Sequence, residues 1–242
     1  MDLKEESILK NEIIGHWYYK SKAAALLRLV GDGEYRVILD VGAGSGFFTK
    51  YLLGNTSVEQ GICVDISYPA ERDENVGGKK NQYLKSCGSV GADLVLLMDV
   101  LEHIDNDLEL LRQYFAMVPT GTRFFVSVPA FNFLWSKHDE FLEHRRRYTL
   151  NSLQRIVRLA GLRQKTICYY FGFVFLIVAT VRLAQKLFLR GNHSALKSDL
   201  QSHCLVVNAL LTTMCSLELR VFRFNKLAGV SIFCLCEKES KQ

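Results

Sequence analysis

The chain has 242 residues, 49% hydrophobic and 23% charged, an ordinary globular composition with enough apolar material for a buried core. Its formal net charge of +5 is partly local, in His144-Arg145-Arg146-Arg147 and Lys79-Lys80, and no recognition motif accompanies it, so a nucleic-acid partner is not expected. Three prolines and no Ser/Gly/Pro-rich linker argue for one domain over 1–242, with an N-terminal helical cover at 1–30.

Short apolar runs alternate with helical ones. Residues 37–40, 61–65, 82–85, 92–98 and 122–128 read as strands that end in turn or polar residues. Residues 47–53 and 105–118 read as helices, and Leu108, Leu111 and Phe115 share one face of the second. Thr149 reads as the N-cap of a helix over 150–160 that Gly161 ends. Residues 164–170 and 230–237 complete a set of seven strands. Near-continuous apolar strands between helices predict a doubly wound, mainly parallel α/β sheet covered on both faces.

Before the last strand lies a helical insertion, 171–226. Residues 171–181 are almost wholly apolar but too few to cross a bilayer, which takes about 20 such residues. Arg182, Lys186 and Arg190 then recur every fourth residue along one helix face. That pattern suits an interfacial membrane element over 171–190 or a lid over the site. A second apolar helix, 205–222, is expected to pack on the first. Seven scattered cysteines and a polar N-terminus fit reduced thiols and a cytoplasmic chain, at most peripheral to the inner membrane face. Cys234-x-Cys236 has no partner pair at zinc-site spacing, so no metal is expected.

The run Val37-Ile38-Leu39-Asp40 enters Val41-Gly42-Ala43-Gly44-Ser45-Gly46-Phe47. Glycines allow a tight bend after the strand and a close approach to a ligand at the strand ends of an open sheet. A dinucleotide fingerprint would need Gly at 47. Asp40 puts a carboxylate where a pyrophosphate would favour positive charge, and so suits a cofactor bearing an amino group. Asp65, ending the second strand, can accept hydrogen bonds from ribose hydroxyls.

These residues resemble the class I S-adenosylmethionine-dependent methyltransferases, whose Rossmann-like sheet has an antiparallel last strand. Residues 38–46 are similar to their first motif, Asp65 to their ribose acid, and 92–104 to their fourth-strand motif. The resemblance implies S-adenosyl-L-methionine bound by Asp40, Gly42, Gly44, Gly46 and Asp65, with Met98 and Asp99 beside its adenine and methionine parts. In that family Glu102 and His103 more often brace the loop than act. A bacterial branch is also resembled, through His16-Trp17-Tyr18-Tyr19, Leu134-Trp135-Ser136-Lys137-His138-Asp139 and His144-Arg145-Arg146-Arg147-Tyr148-Thr149. By that likeness Lys22 meets the cofactor carboxylate, as a point charge rather than the fork an Arg would offer. Glu143 stands where the branch has Gly.

Ser127-Val128-Pro129-Ala130 lacks the Asn/Asp-Pro-Pro-aromatic sequence of enzymes that methylate amide or adenine nitrogens, so a hydroxyl acceptor is favoured. His138, Asp139 and His144 follow the strand end, where a base for that hydroxyl belongs; they alternatively order the loop. His16, Tyr19, Arg145, Arg146 and Tyr148 are candidate acceptor contacts. Arg145–Arg147 either clamp an anionic group or pair with Glu140 and Glu143. Basic cluster and apolar insertion together suggest a small or lipid-linked acceptor. The rival readings are a nicotinamide or nucleotide-sugar enzyme and a non-catalytic cofactor-binding protein. Oligomeric state is not legible.

Overall fold

A computed structural model describes residues 13–31, 33–188 and 204–239. In chain order the elements are α1 (Trp17–Val30), β1 (Val37–Val41), α2 (Phe47–Asn55), β2 (Gln60–Val64), β3 (Arg72–Val76), β4 (Lys79–Leu84) and β5 (Leu94–Met98). Then come α3 (Asp107–Met117), β6 (Arg123–Pro129), α4 (Lys137–Phe141), α5 (Leu150–Leu159), β7 (Leu162–Tyr170), α6 (Gly172–Phe188), α7 (Leu205–Glu218) and β8 (Ser231–Lys238). All eight strands form one sheet in the order β3-β4-β2-β1-β5-β6-β8-β7. The five from β4 to β6 pair in parallel, and β8 runs antiparallel between β6 and β7. This is the Rossmann-like methyltransferase architecture that the sequence resembles, with one strand more than expected.

The extra strand, β3, pairs antiparallel with β4 at the sheet edge. Its residues Arg-Asp-Glu-Asn-Val are polar and largely exposed, so no apolar run marks it. The signal is instead the turn. Gly77 and Gly78 hold φ of 60° and 87°, the paired positive values that a two-residue hairpin loop demands.

Strand periodicity builds both faces of the core. In β5, Leu94, Leu96 and Met98 pack with Leu26, Phe48 and Leu52 of α1 and α2. The intervening Val95 and Leu97 pack with Leu111, Leu153 and Val157 of α3 and α5. Side chains alternate across a strand, so a central strand buried on both sides must be apolar throughout. Cys234 and Cys236 share the second face, as their spacing requires, and all seven cysteines are free thiols.

The described residues of the insertion contribute the helices α6 and α7. α7 touches α6, as expected, but packs more extensively on α1. Asn208 explains the preference: its Oδ1 accepts from the Trp17 amide at 2.8 Å and its Nδ2 donates to the Gly15 carbonyl at 3.0 Å. α6 begins where the Glu218 carboxylate accepts from the Gly172 amide at 2.8 Å. No helix among the described residues is long and apolar enough to cross a membrane. Arg190 and the side chain of Lys186 lie outside the described residues, as does the part of the N-terminal cover before residue 13.

Gly61 in β2 tests how tightly this sheet is set. A Cβ there would fall 2.3 Å from Thr49 Cγ2 and 2.4 Å from Asn81 Oδ1. Overpacking of this kind costs about 1–3 kcal/mol. Gly61→Ala is expected to lower the urea midpoint by a corresponding amount with an unchanged m-value; a midpoint equal to the parent's contradicts the packing described.

Candidate functional site

The turn after β1 is shaped by three glycines at φ of 64°, 53° and 72° (Gly42, Gly44 and Gly46). L-residues seldom adopt that region. The Gly42 and Ala43 amides donate to the Val64 carbonyl at 2.8 and 3.2 Å, tying the turn to the end of β2. Asp65 follows directly, and its Oδ2 accepts from the Gly44 amide at 3.0 Å. Ser45 adds a buried Oγ that has no hydrogen-bond partner. A tight backbone cradle, an acid at the tip of the second strand and an orphaned hydroxyl fit a nucleoside ligand here.

Asp40 is 1% exposed and accepts from Thr49 Oγ1 at 2.7 Å. Burial pushes its pKa up to about 6, the Thr49 hydrogen bond acting in the opposite direction. The carboxyl therefore ionises just below neutrality, where a nearby cation would hold it charged.

At the end of β5, Asp99 takes φ of 55°. Ser127 Oγ donates to its Oδ1 at 3.0 Å, and Lys22 Nζ of α1 contacts its Oδ2. Lys22 has no exposed surface and lies over the Tyr18 ring, 4.9 Å from its centroid. Burial pulls the lysine pKa down, but Asp99 and Tyr18 outweigh it and the net shift is upward. Burial likewise raises the Asp99 pKa, and Lys22 more than reverses that, leaving it below the ordinary value. Lys22 and Asp99, read from the sequence as two separate cofactor contacts, are thus partners in an ion pair whose lysine is fully buried and whose carboxylate reaches the cavity. Met98, one residue earlier, is buried in the strand beside Ser127.

These strand ends open on a cavity of about 190 Å³. Trp17, Tyr18, Leu134 and Leu142 supply apolar wall, and Asp99, Glu102, His103, His138, His144 and Arg147 supply the polar groups. Glu102 is fully buried and neither carboxyl oxygen has a hydrogen-bond partner. Burial, then Asp99, pushes its pKa well above the carboxylate range. His103 is pulled down to about 4 by burial and by His144, whose ring lies 4.7 Å away edge-on. Glu102, His103 and His144 also place one ligand atom each within 4.8 Å of one another, a group able to hold a divalent ion.

Asp139 organises the wall of this cavity. It has no exposed surface and accepts from the Ser136 amide at 2.8 Å, closing the capping box that starts α4. Arg147 donates to both its oxygens, at 2.6 and 3.0 Å. His144 Nδ1 lies 2.9 Å from Oδ1, which puts the proton on Nδ1 and leaves Nε2 as the free acceptor. Burial raises the Asp139 pKa, and the His144 and Arg147 hydrogen bonds overturn this, so the net shift is downward. Glu143 sits between them at φ of 59°, the left-handed turn that glycine favours.

The three arginines read as one cluster diverge. Arg145 pairs with Asp105 at 3.0 Å, Arg146 with Asp107 at 3.3 Å and Arg147 with Asp139. Their partners are thus aspartates of other segments, where the sequence suggested Glu140 and Glu143. Tyr148 is buried and donates to Asp107 at 2.8 Å. His16 and Tyr19 are also buried, Tyr19 edge-on to Phe47 at 5.6 Å. Of the expected acceptor and catalytic residues, the cavity gathers His138 and His144, with Asp139 directly behind His144. Arg147, read with its two neighbours as an anion clamp or a surface partner, lines it too, as do Trp17 and Tyr18, to which the sequence gives no separate role. Helical phase within His16-Trp17-Tyr18-Tyr19 separates cavity-facing from core-facing rings, but only once the direction of the core is known.

A family model described as a methyltransferase domain matches residues 14–166, more than half of the chain. Among solved structures, a chain from the complex between the Haloferax volcanii Trm112 methyltransferase activator and a protein assigned as a methyltransferase superposes with TM-score 0.58 at 15% identity, covering 96% of this chain and 93% of that one. A protein assigned as a methyltransferase from Bacillus halodurans gives 0.57 at 12% identity, covering 91% and 100%. An S-adenosylmethionine-dependent methyltransferase from Archaeoglobus fulgidus gives 0.52 at 18% identity, covering 90% and 94%. No curated protein matches the chain. At these identities the structures establish the fold, and the domain match establishes the family: the chain belongs to the methyltransferase-domain family.

Proposed function

We propose that the protein transfers a methyl group from S-adenosylmethionine to a hydroxyl of an amphiphilic acceptor. The observation that carries this reading is the Asp139–His144 pair on the wall of a largely apolar cavity at the ends of β5 and β6. In this reading Asp65 accepts from the ribose hydroxyls, and the left-handed glycines let the backbone approach the ligand. Asp40 compensates the amino group from behind the turn. Met98 and Asp99 lie beside the adenine and methionine parts, and Lys22, committed to Asp99, acts by holding that carboxylate in place. When bound, the cofactor supplies an electrophilic methyl on a sulfonium centre.

The remaining work falls to the protein. Acceptor oxygen and methyl carbon must be held about 3–3.5 Å apart and in line, which Trp17, Tyr18 and Leu134 achieve by packing the acceptor's apolar part. His144 would take the hydroxyl proton at Nε2, and the bound cofactor would supply the methyl and leave as the neutral thioether. Asp139 fixes the tautomer and stabilises the imidazolium that results, the role a buried carboxylate plays behind a catalytic histidine. His103, with a pKa of about 4, is uncharged at neutral pH and does not repel that imidazolium. Glu102, whose pKa burial pushes well above the carboxylate range, faces the same cavity.

Three measurements test this function. Asp65→Ala is expected to weaken S-adenosylhomocysteine binding at least tenfold by calorimetry, the loss of about one charge-assisted hydrogen bond; equal affinity would falsify the ribose assignment. Lowering the pH through about 6 protonates Asp40 and is expected to reduce that affinity, because the cationic amino group loses its counter-charge. Asp40→Asn should abolish the pH dependence, and a parent protein with a flat profile rules out the assigned contact. With an acceptor found by screening hydroxylated amphiphiles and labelled cofactor, His144→Gln should lower kcat by about 10²–10⁴ while cofactor binding persists. A kcat equal to the parent's removes His144 as the base.

A further inference from the structure

The insertion presents two different surfaces. On one side of α6, Val174, Val178 and Arg182 line the cavity. On the other, Phe173, Leu176, Ile177 and Val181 form an exposed stripe at i, i+3, i+4 and i+8, with Leu176 62% exposed. The neighbouring α7 exposes Val206 and Leu210. After it, Val221, Phe224 and Leu227 stand 61%, 75% and 90% exposed, interleaved with exposed Arg220, Arg223 and Lys226. Isolated apolar residues on a surface are ordinary, but this many on adjoining elements mark an interaction site.

Charge identifies the occupant. Residues 171–230 contain seven Lys/Arg and two Asp/Glu, a net of +5, so the remainder of the chain holds 23 of each sign and is neutral. Of the two acids, Glu218 is buried against the Gly172 amide. The basic runs at 79–80 and 144–147, where the sequence suggested part of the excess, are therefore balanced by acids elsewhere, and the excess belongs to the segment with the exposed apolar stripe. Apolar side chains flanked by basic ones are the chemistry of an anionic lipid surface, where acyl chains take the first and headgroups the second.

We propose that α6, α7 and the Val221–Leu227 segment dock the protein on an anionic bilayer, with α6 dividing the membrane from the cavity. On the methyltransferase reading above, the acceptor is then an amphiphile that reaches the cavity past α6 from the lipid phase. Docking itself does not depend on that reading.

Flotation of the full chain with phosphatidylcholine vesicles, with and without phosphatidylglycerol, tests the proposal. Binding is expected with the anionic vesicles and to fall as salt is raised. Arg220→Gln and Arg223→Gln should each weaken it about fivefold, and Leu176→Glu with Ile177→Glu should abolish it. S-adenosylhomocysteine binding measured on each variant reports whether the fold and cofactor site remain. Absence of the parent from the floated fraction overturns the docking surface and leaves the transferase assignment intact. Equal binding to neutral and anionic vesicles overturns the charge argument. Self-association without vesicle binding, abolished by the same Leu176 and Ile177 changes, assigns the face to a second copy of the chain and overturns the proposal as well.

Discussion

An ammonium with no access to water has to be neutralised where it stands, and much of this molecule is arranged around that requirement at Lys22. Desolvating a charge costs several kcal/mol, and only a close, well-bonded counter-charge repays it. Asp99 provides it from the end of a central strand, held in turn by Ser127 of the next strand. The pair therefore pins α1 across the strand ends. Once α1 is placed, Trp17 and Tyr18 form cavity wall, and Asn208 can bind the backbone at Gly15 and Trp17, which seats α7. A single buried charge thus couples the sheet, the cavity and the insertion. The left-handed backbone of Asp99 belongs to the same arrangement, since strain of this kind persists only where surroundings over-determine it.

Asp139 does for the far wall what Asp99 does for the near one, with a different balance of costs. Its desolvation is met by a guanidinium, an imidazole and a helix-capping amide together. Two of its partners, Arg147 and the Ser136 cap, are fixed by the fold. The third, His144, is free to exchange a proton on its other nitrogen. A carboxylate already committed to an arginine remains ionised through that exchange and keeps the ring oriented. Glu102, nearby and with no hydrogen-bond partner on either carboxyl oxygen, meets the same cost by an upward shift of its pKa. Of three acids near one cavity, Asp99 and Asp139 are thus held toward the charged form and Glu102 toward the neutral one, each by its neighbours rather than by its type.

Which parts were legible in the sequence follows from the range of the forces involved. Strands buried on both faces must be apolar, so β1, β2, β5 and β6 announce themselves, while β3, polar and at the edge, announces only its Gly-Gly turn. The glycine turn and Asp65 are legible because backbone conformation and a 21-residue reach are local properties of one β-α-β unit. The Lys22–Asp99 pair spans 77 positions and joins two residues that each already had a plausible separate role. The run Arg145-Arg146-Arg147 carries no sign that successive side chains leave a loop in different directions toward Asp105, Asp107 and Asp139. Composition records that charges exist; only the fold decides which of them meet.

The same distinction bears on α6. By composition it is nearly apolar all round, a pattern that belongs to a helix enclosed by protein or lipid. Among the described residues it is enclosed on one face, by the cavity wall and by Phe131 and Phe133, whose rings lie 5.5 and 6.0 Å from Phe175. Its outward face has apolar side chains where a solvated helix would carry charged ones. A lid needs only the inward face to be apolar; selection for closure alone gives no reason for Leu176 and Ile177 to face water. The physical demand for an apolar outer face is a second apolar phase, and the basic residues concentrated in the same segment give that phase a negative boundary.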